Sequence, residues 1–253
     1  MKDSKIFEIS SKKYKDAYLI VGLPGIGLIG KTVADHLIKE LNAKKIADLY
    51  SPHFPHQVFM TGSGTLRAIK NEFYHAKAGK NDLIILTGDV QAITSPGQYE
   101  ISGIIVEYCK KIGVKTLITL GGYSSGKLGD NKRVFALVTD KELIPKLKKL
   151  GIIFGKAKGS IVGAAGMLPI FGKLAGLKGI CLLGETHGAY VDVASAKDLL
   201  IALSGYLKFK VDLKQMDKKA KEGEQMLKKI EEELKRTMIQ TPEFSKQDVS
   251  YIR

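Results

Sequence analysis

Short, continuously apolar runs alternate along the chain with longer segments in which apolar residues recur every three or four positions. Ala17-Tyr-Leu-Ile-Val21, Asp82 to Thr87, Val114 to Leu120, Val134 to Thr139 and Gly179-Ile-Cys-Leu-Leu183 are short and mostly rich in branched side chains. They predict strands buried on both faces. Lys45 to Tyr50 adds another strand, and Gln57 to Met60 with Gly64 to Tyr74 predicts a hairpin. Helical spacing covers Gly25 to Leu41, Gln98 to Ile112, Lys141 to Leu150, Met167 to Leu177 and Ala194 to Leu207. Gly113 stands where a helix C-terminus favours glycine. Doubly buried strands alternating with helices predict an α/β chain: a mainly parallel sheet covered on both sides, as a three-layer αβα sandwich of the Rossmann-like class. Several strands run out into glycine, and open α/β sheets carry their sites at those ends.

After Lys210 the pattern changes. Leu213, Met216, Ala220, Gly223, Leu227, Ile230 and Leu234 step by three and four, with charges elsewhere, which is a heptad stripe. The expected organisation is a core domain over 1–210, a charged heptad-like helix over 211–238 and a flexible polar tail over 239–253. Leu213, Met216, Leu227, Ile230 and Leu234 are the positions this helix would offer to another subunit or a partner. Gly223 on the seam weakens the helix by ~1 kcal/mol relative to alanine.

At 253 residues, 44% hydrophobic and 26% charged, the chain has the make-up of one large globular domain. No apolar run approaches the ~18 residues of a membrane span. The charged N-terminal stretch lacks a secretory pattern, so a cytoplasmic protein without a membrane partner is expected. Cys109 and Cys181 lie in apolar segments and read as buried thiols, with no CxxC metal spacing. The net charge is +14. The excess is almost all lysine, the arginines being Arg67, Arg133, Arg236 and Arg253. Base and phosphate readout favours arginine forks, so the scattered lysines predict solvated surface and no specific nucleic-acid partner.

Two segments could carry chemistry. Gly25-Ile-Gly-Leu-Ile-Gly-Lys-Thr32 fits both GxxxxGK[ST] and GxGxxG between a strand and a helix. A phosphate site there would use Gly25, Gly30, Lys31 and Thr32, as in a P-loop ATPase or GTPase. Against it, Leu23, Pro24, Ile26, Leu28 and Ile29 put bulky apolar groups beside a dianionic ligand. The acids in range, Asp89 for magnesium and Asp48 for a ribose, are poorly placed. The other segment is Glu185-Thr-His187 after the last buried strand, an acid/base pair for a small-metabolite enzyme, metal ligands or a buried polar network. With Gly121, Gly122 and Tyr123 it would form a strand-end pocket. His53 and His56 could join a site only through tertiary folding. Ser124, Ser125 and Ser160 lie in glycine-rich loops without an assignable base.

Six segments in order carry a resemblance: Val21-Gly-Leu-Pro-Gly-Ile-Gly-Leu-Ile-Gly-Lys31, Leu86-Thr-Gly-Asp-Val-Gln91, Gly97-Gln-Tyr-Glu100, Leu120-Gly-Gly-Tyr123, Gly163-Ala-Ala-Gly-Met-Leu168 and Cys181-Leu-Leu-Gly-Glu-Thr-His-Gly188. From Tyr18 to Leu213 the chain resembles the archaeal and bacterial branch of the proteasome assembly chaperone family. The resemblance implies a fold akin to nucleoside phosphorylases, homo-oligomers, and a non-enzymatic role in assembling or binding the proteasome core particle, with its α-subunits or related assembly factors as partners. It implies no cofactor, no catalytic residue and no nucleotide hydrolysis. Some proteasome partners, certain relatives included, dock a C-terminal hydrophobic-Tyr-X tail between α-subunits. Here the end is Tyr251-Ile252-Arg253, with Val249 before it, and the tyrosine stands one position early. Val249, Tyr251, Ile252 and Arg253 are the partner-binding residues such docking would use.

Overall fold

The computed structural model describes residues 1–125, 133–155 and 159–223. The strands are β1 (Lys5–Glu8), β2 (Ala17–Val21), β3 (Lys44–Tyr50), β4 (Val58–Met60), β5 (Leu66–Ala68), β6 (Asn71–Ala78), β7 (Asn81–Gly88), β8 (Val114–Ser124), β9 (Val134–Val138) and β10 (Lys178–Thr186). The helices are α1 (Ile29–Glu40), α2 (Ser95–Ile112), α3 (Ile144–Lys148), α4 (Ala164–Leu174) and α5 (Val193–Leu207). Eight strands form one sheet in the order β1-β3-β6-β7-β2-β8-β10-β9. The centre, β7-β2-β8-β10, is parallel. The flanks are antiparallel, yet β3 points the same way as the central four. The expected αβα sandwich, mainly parallel in strand direction, is the observed fold.

The alternation of side chains in the central strands feeds two cores. Leu19, Val21, Ile84, Leu86 and Leu117 face α2 and α4. Ile20, Leu83, Ile85, Ile118 and Ile180 face α1 and α5. Each such side chain, fully buried, stabilises the fold by roughly 1.5–3 kcal/mol relative to exposure. That explains why these strands are apolar at consecutive positions.

Differences from the sequence reading have local causes. The predicted strand from Gly64 to Tyr74 is two: β5 pairs with β4 in a separate small sheet, and β6 joins the main sheet. Strand β1 went unpredicted because it is short, polar and on an edge. The lysine-rich helix after β9 is only α3, entered through a 3-10 turn over Lys141–Leu143, with Pro145 in its first turn where no N–H is needed.

Helix α4 starts three residues earlier than its periodicity suggests, and it contains Pro169. Proline cannot donate to the carbonyl four residues before it. That carbonyl, of Ala165, instead accepts from the Thr119 hydroxyl of β8 at 2.7 Å.

Among the described residues a further helix covers 214–223. Met216 is 2% exposed and packs with the α1–α5 core, and Leu213 packs against the same cluster. His36 Nε2 lies 2.8 Å from the Asp212 carbonyl, and Lys197 reaches Asp217 at 3.0 Å. Met216, offered above to a partner, is therefore a core residue of its own domain. Leu227, Ile230 and Leu234, with the tail residues Val249 to Arg253, lie outside the described residues.

Helix α1 lies so close to the sheet that backbone meets backbone. A methyl added at Gly22 would collide with the Gly30 carbonyl, and one at Gly30 with the Leu120 carbonyl. Gly30→Ala therefore sets a helix-propensity gain of up to ~1 kcal/mol against a clash with rigid backbone of about 1–3 kcal/mol. The clash is expected to win, lowering the unfolding free energy by about 1–2 kcal/mol in urea titrations.

Candidate functional site

The carboxyl ends of β2, β8 and β10, with the loop before α1 and the start of α4, enclose a cavity of about 370 Å³. Gly25, Gly30, Gly121, Gly122 and Tyr123 are among its lining. Its polar groups are Gln91, Thr119, Tyr123, Ser124 and Ser160, and among the described residues no charged side chain borders it. Lys31, Thr32, Glu185 and His187 do not reach it.

The glycine-rich loop does not form a phosphate cradle. Residues Ile26–Leu28 make a 3-10 turn in which the Leu28 amide bonds to the Gly25 carbonyl at 2.9 Å. Gly27 sits at φ 64°, and Leu28 caps α1 in a left-handed conformation without a side-chain cap. Lys31 turns away to Asp35, its Nζ lying 2.8 Å from Oδ2, and Thr87 donates to the same carboxylate at 2.9 Å. Asp89, the candidate magnesium ligand, receives the Arg67 fork at 2.6 and 3.2 Å and the Lys70 amide at 3.1 Å. Burial pushes its carboxyl upward, but these donors outweigh it and hold the pKa below the usual range. Asp48 is engaged by Lys70 at 3.1 Å and by Lys45. The acids and the lysine that a nucleotide site would need are thus committed to other partners.

The loop is instead held by its neighbours. Gln91 donates to the Pro24 carbonyl at 2.7 Å and accepts from the Ala164 amide at 2.9 Å, joining the loop before α1 to the start of α4. Asp192, 2% exposed, caps α5 through the Ser195 amide at 2.9 Å, accepts from Thr186 at 2.8 Å, and donates its own amide to the Gly27 carbonyl.

Glu185 and His187 part company. Both Glu185 oxygens accept from the Arg133 fork, at 2.6 and 2.5 Å, and its amide donates to the Arg133 carbonyl at 2.8 Å. The Arg133 hydrogen bonds hold this buried carboxyl at about 2, against the upward pull of burial. A carboxylate so low and so occupied makes a poor general base at neutral pH. His187 stacks on Tyr190, while its carbonyl accepts from Ser124 at 2.9 Å. His53 pairs with Glu100 at 2.9 Å. The Ser4 hydroxyl and amide, ahead of His53, hold Glu100 near 2. Among the described residues no group of three or more His, Cys, Asp or Glu could hold a metal ion. No described helix is long and apolar enough to cross a membrane.

Residues 19–231 match the profile of the PAC2 family. The chain belongs to the PAC2 family. An uncharacterised protein of Methanocaldococcus jannaschii is 37% identical over 97% of this chain and 98% of that one. Among solved structures, Pyrococcus furiosus PbaB, an archaeal proteasome activator, is 41% identical with a TM-score of 0.86, over 91% of this chain and 100% of that chain. Pyrococcus furiosus PbaA, an archaeal homolog of proteasome-assembly chaperone, is 29% identical with a TM-score of 0.77, over 94% and 95%. The resemblance drawn from the ordered motifs is thereby established at the level of the family.

In this PAC2 chain, sequence reasoning missed Arg133 and Asp192. Arg133 had no signal, since its partner lies 52 residues away. Asp192 had one: an aspartate three residues before a helical amide donor is a helix N-cap pattern.

Three outcomes are expected. The Glu185 pKa falls from 4.5 unfolded to about 2 folded. Its contribution to stability is present above the higher value and is lost as pH drops toward the lower one. Glu185→Gln therefore lowers the thermal midpoint at neutral pH, and the gap to the parent closes as pH falls from about 4.5 to about 2 in melts followed by circular dichroism. Lys31→Ala breaks an i,i+4 pair with Asp35 and a 3.3 Å hydrogen bond to the Thr87 hydroxyl and changes stability by less than about 1 kcal/mol. Magnesium nucleotide leaves the parent's midpoint unmoved, whereas a true site at ~100 times its dissociation constant would add ~2.7 kcal/mol.

Proposed function

We propose that this chain is a non-enzymatic, homo-oligomeric factor that binds the proteasome core particle through its α-subunits, as an activator or assembly chaperone. One observation carries the reading: near-full-length likeness at 41% identity to a protein described as an archaeal proteasome activator. The strand-end geometry supports it from the other side. Its acids and cations are consumed in pairs that fix loops, and among the described residues its cavity carries no charged side chain. Such a scaffold holds surfaces in place and offers no activated nucleophile. Of the two Pyrococcus furiosus likenesses, the activator is nearer in both sequence and shape, which favours an effect on a finished core particle. The C-terminal residues Val249, Tyr251, Ile252 and Arg253 are the docking element within this proposal.

The test mixes the purified chain with archaeal core particle and follows cleavage of a fluorogenic peptide, with co-elution from a sizing column as the binding readout. The expected results are co-elution and faster cleavage, both diminished when residues 239–253 are removed. Binding that persists undiminished without those residues removes the tail from the proposal. A chain that neither co-elutes with core particle or α-subunits nor alters cleavage overturns it.

A further inference from the structure

The small sheet of β4 and β5 stands apart from the main one, and its register sorts its side chains cleanly. Val58 lies opposite Ala68, Phe59 opposite Arg67, and Met60 opposite Leu66. Directly opposed residues share a face, and successive ones alternate. Val58, Met60, Leu66 and Ala68 therefore make one face, which is apolar throughout. Val58 is 55% exposed, Leu66 73% and Met60 89%.

The opposite face is the anchored one. The Arg67 guanidinium lies over the Phe59 ring at 4.5 Å and grips Asp89 of the main body with both nitrogens. The tip is tied as well: Thr61 Oγ1 lies 2.7 Å from Thr65 Oγ1 and 2.8 Å from Ser63 Oγ, and the Thr61 amide bonds to the Thr65 carbonyl. A lone two-stranded hairpin is marginal in water; this one is held in shape from behind while its apolar face meets solvent. Beside its root lies a hollow of about 360 Å³, lined by Tyr50, Phe54, Pro55, His56, Val58 and Ile69 among others.

We propose that this hairpin is a self-association arm, its Met60–Leu66 tip seating on the root hollow of a second copy of the chain. Charge selects the occupant. At a net +14, two copies repel wherever lysines face each other. No Lys, Arg, Asp or Glu stands between Asp48 and Arg67, and Arg67 is on the anchored face, so the arm's apolar face and most of the hollow present no charged side chain to a like-charged neighbour. An acidic partner would be drawn to the lysine-bearing surfaces and would gain nothing electrostatically here. Knob and hollow on one surface are self-complementary, and the arm's prior order reduces the entropy lost on association. The inference rests on the homo-oligomeric part of the proposed function and names where the contact lies.

The test is light scattering of the full chain on a sizing column, compared with Met60→Asp/Leu66→Lys. Both substitutions sit on an exposed face, so the variant is expected to keep the parent's circular dichroism while its mass falls to that of a single chain. A fold-preserving measurement accompanies it: Met60→Cys and His56→Cys chains are mixed under mild oxidation. The native Cys109 and Cys181 are buried and stay silent. A disulfide joining the two variants is expected, seen as a covalent dimer on a non-reducing gel. A parent that is monomeric at all concentrations, or an oligomer whose mass survives the double substitution with no cross-link, overturns the inference. So does a variant of unchanged mass that no longer binds α-subunits, which would assign the face to that partner. A parent that oligomerises through the arm yet ignores the core particle leaves this inference standing and sinks the proteasome reading.

Discussion

The fold depends on how closely α1 can lie on β2 and β8. Where Gly22, Gly30 and Leu120 meet, carbonyl oxygens occupy the space a Cβ would need. The same closeness recurs where Gly122 meets the Ile26 carbonyl. It sets the depth at which Ile29, Val33, Ala34 and Leu37 enter the core. The 3-10 turn and left-handed Leu28 follow from it, because the chain must swing from strand to helix in very little room. A glycine pattern that in other proteins surrounds phosphate here serves backbone packing. Motif and function are separable because one residue type answers both demands.

With the loop so fixed, the polar groups around the strand ends are satisfied within the protein. Gln91 ties two loops, Asp192 ties two more, and Arg133 closes over Glu185. Buried polar groups left unmet cost more than met ones contribute. A network this complete rigidifies the sheet's upper rim and leaves few groups that a reacting molecule could recruit. The polar groups of the rim are spent on holding its own loops in place.

Much of this was legible from the chain alone. The five buried strands and the helices between them showed plainly, because doubly buried strands must be apolar at consecutive positions. The pocket glycines Gly121 and Gly122 showed as well, since strand ends in glycine mark the rim. What stayed hidden was pairing at long range. Nothing near Glu185 in sequence announces Arg133, and nothing near Asp89 announces that Arg67 will claim it from a separate hairpin. The heptad stripe illustrates a different limit. Periodicity reports that a face is buried, not in what, and Met216 is buried in its own domain. The alternating face of β4 and β5 was equally readable, but its outward direction became visible only with the register.

Pro169 and Thr119 tie two distant positions into one historical unit. The proline frees a carbonyl inside α4, and a hydroxyl from β8 occupies it. Replacing proline first is harmless to that carbonyl, which then has two donors competing for it. Replacing threonine first leaves it without a side-chain donor from the sheet. A lineage drifting away from this pair can therefore travel the route in one direction far more easily than the other. Relatives are expected to keep threonine without proline more often than proline without threonine.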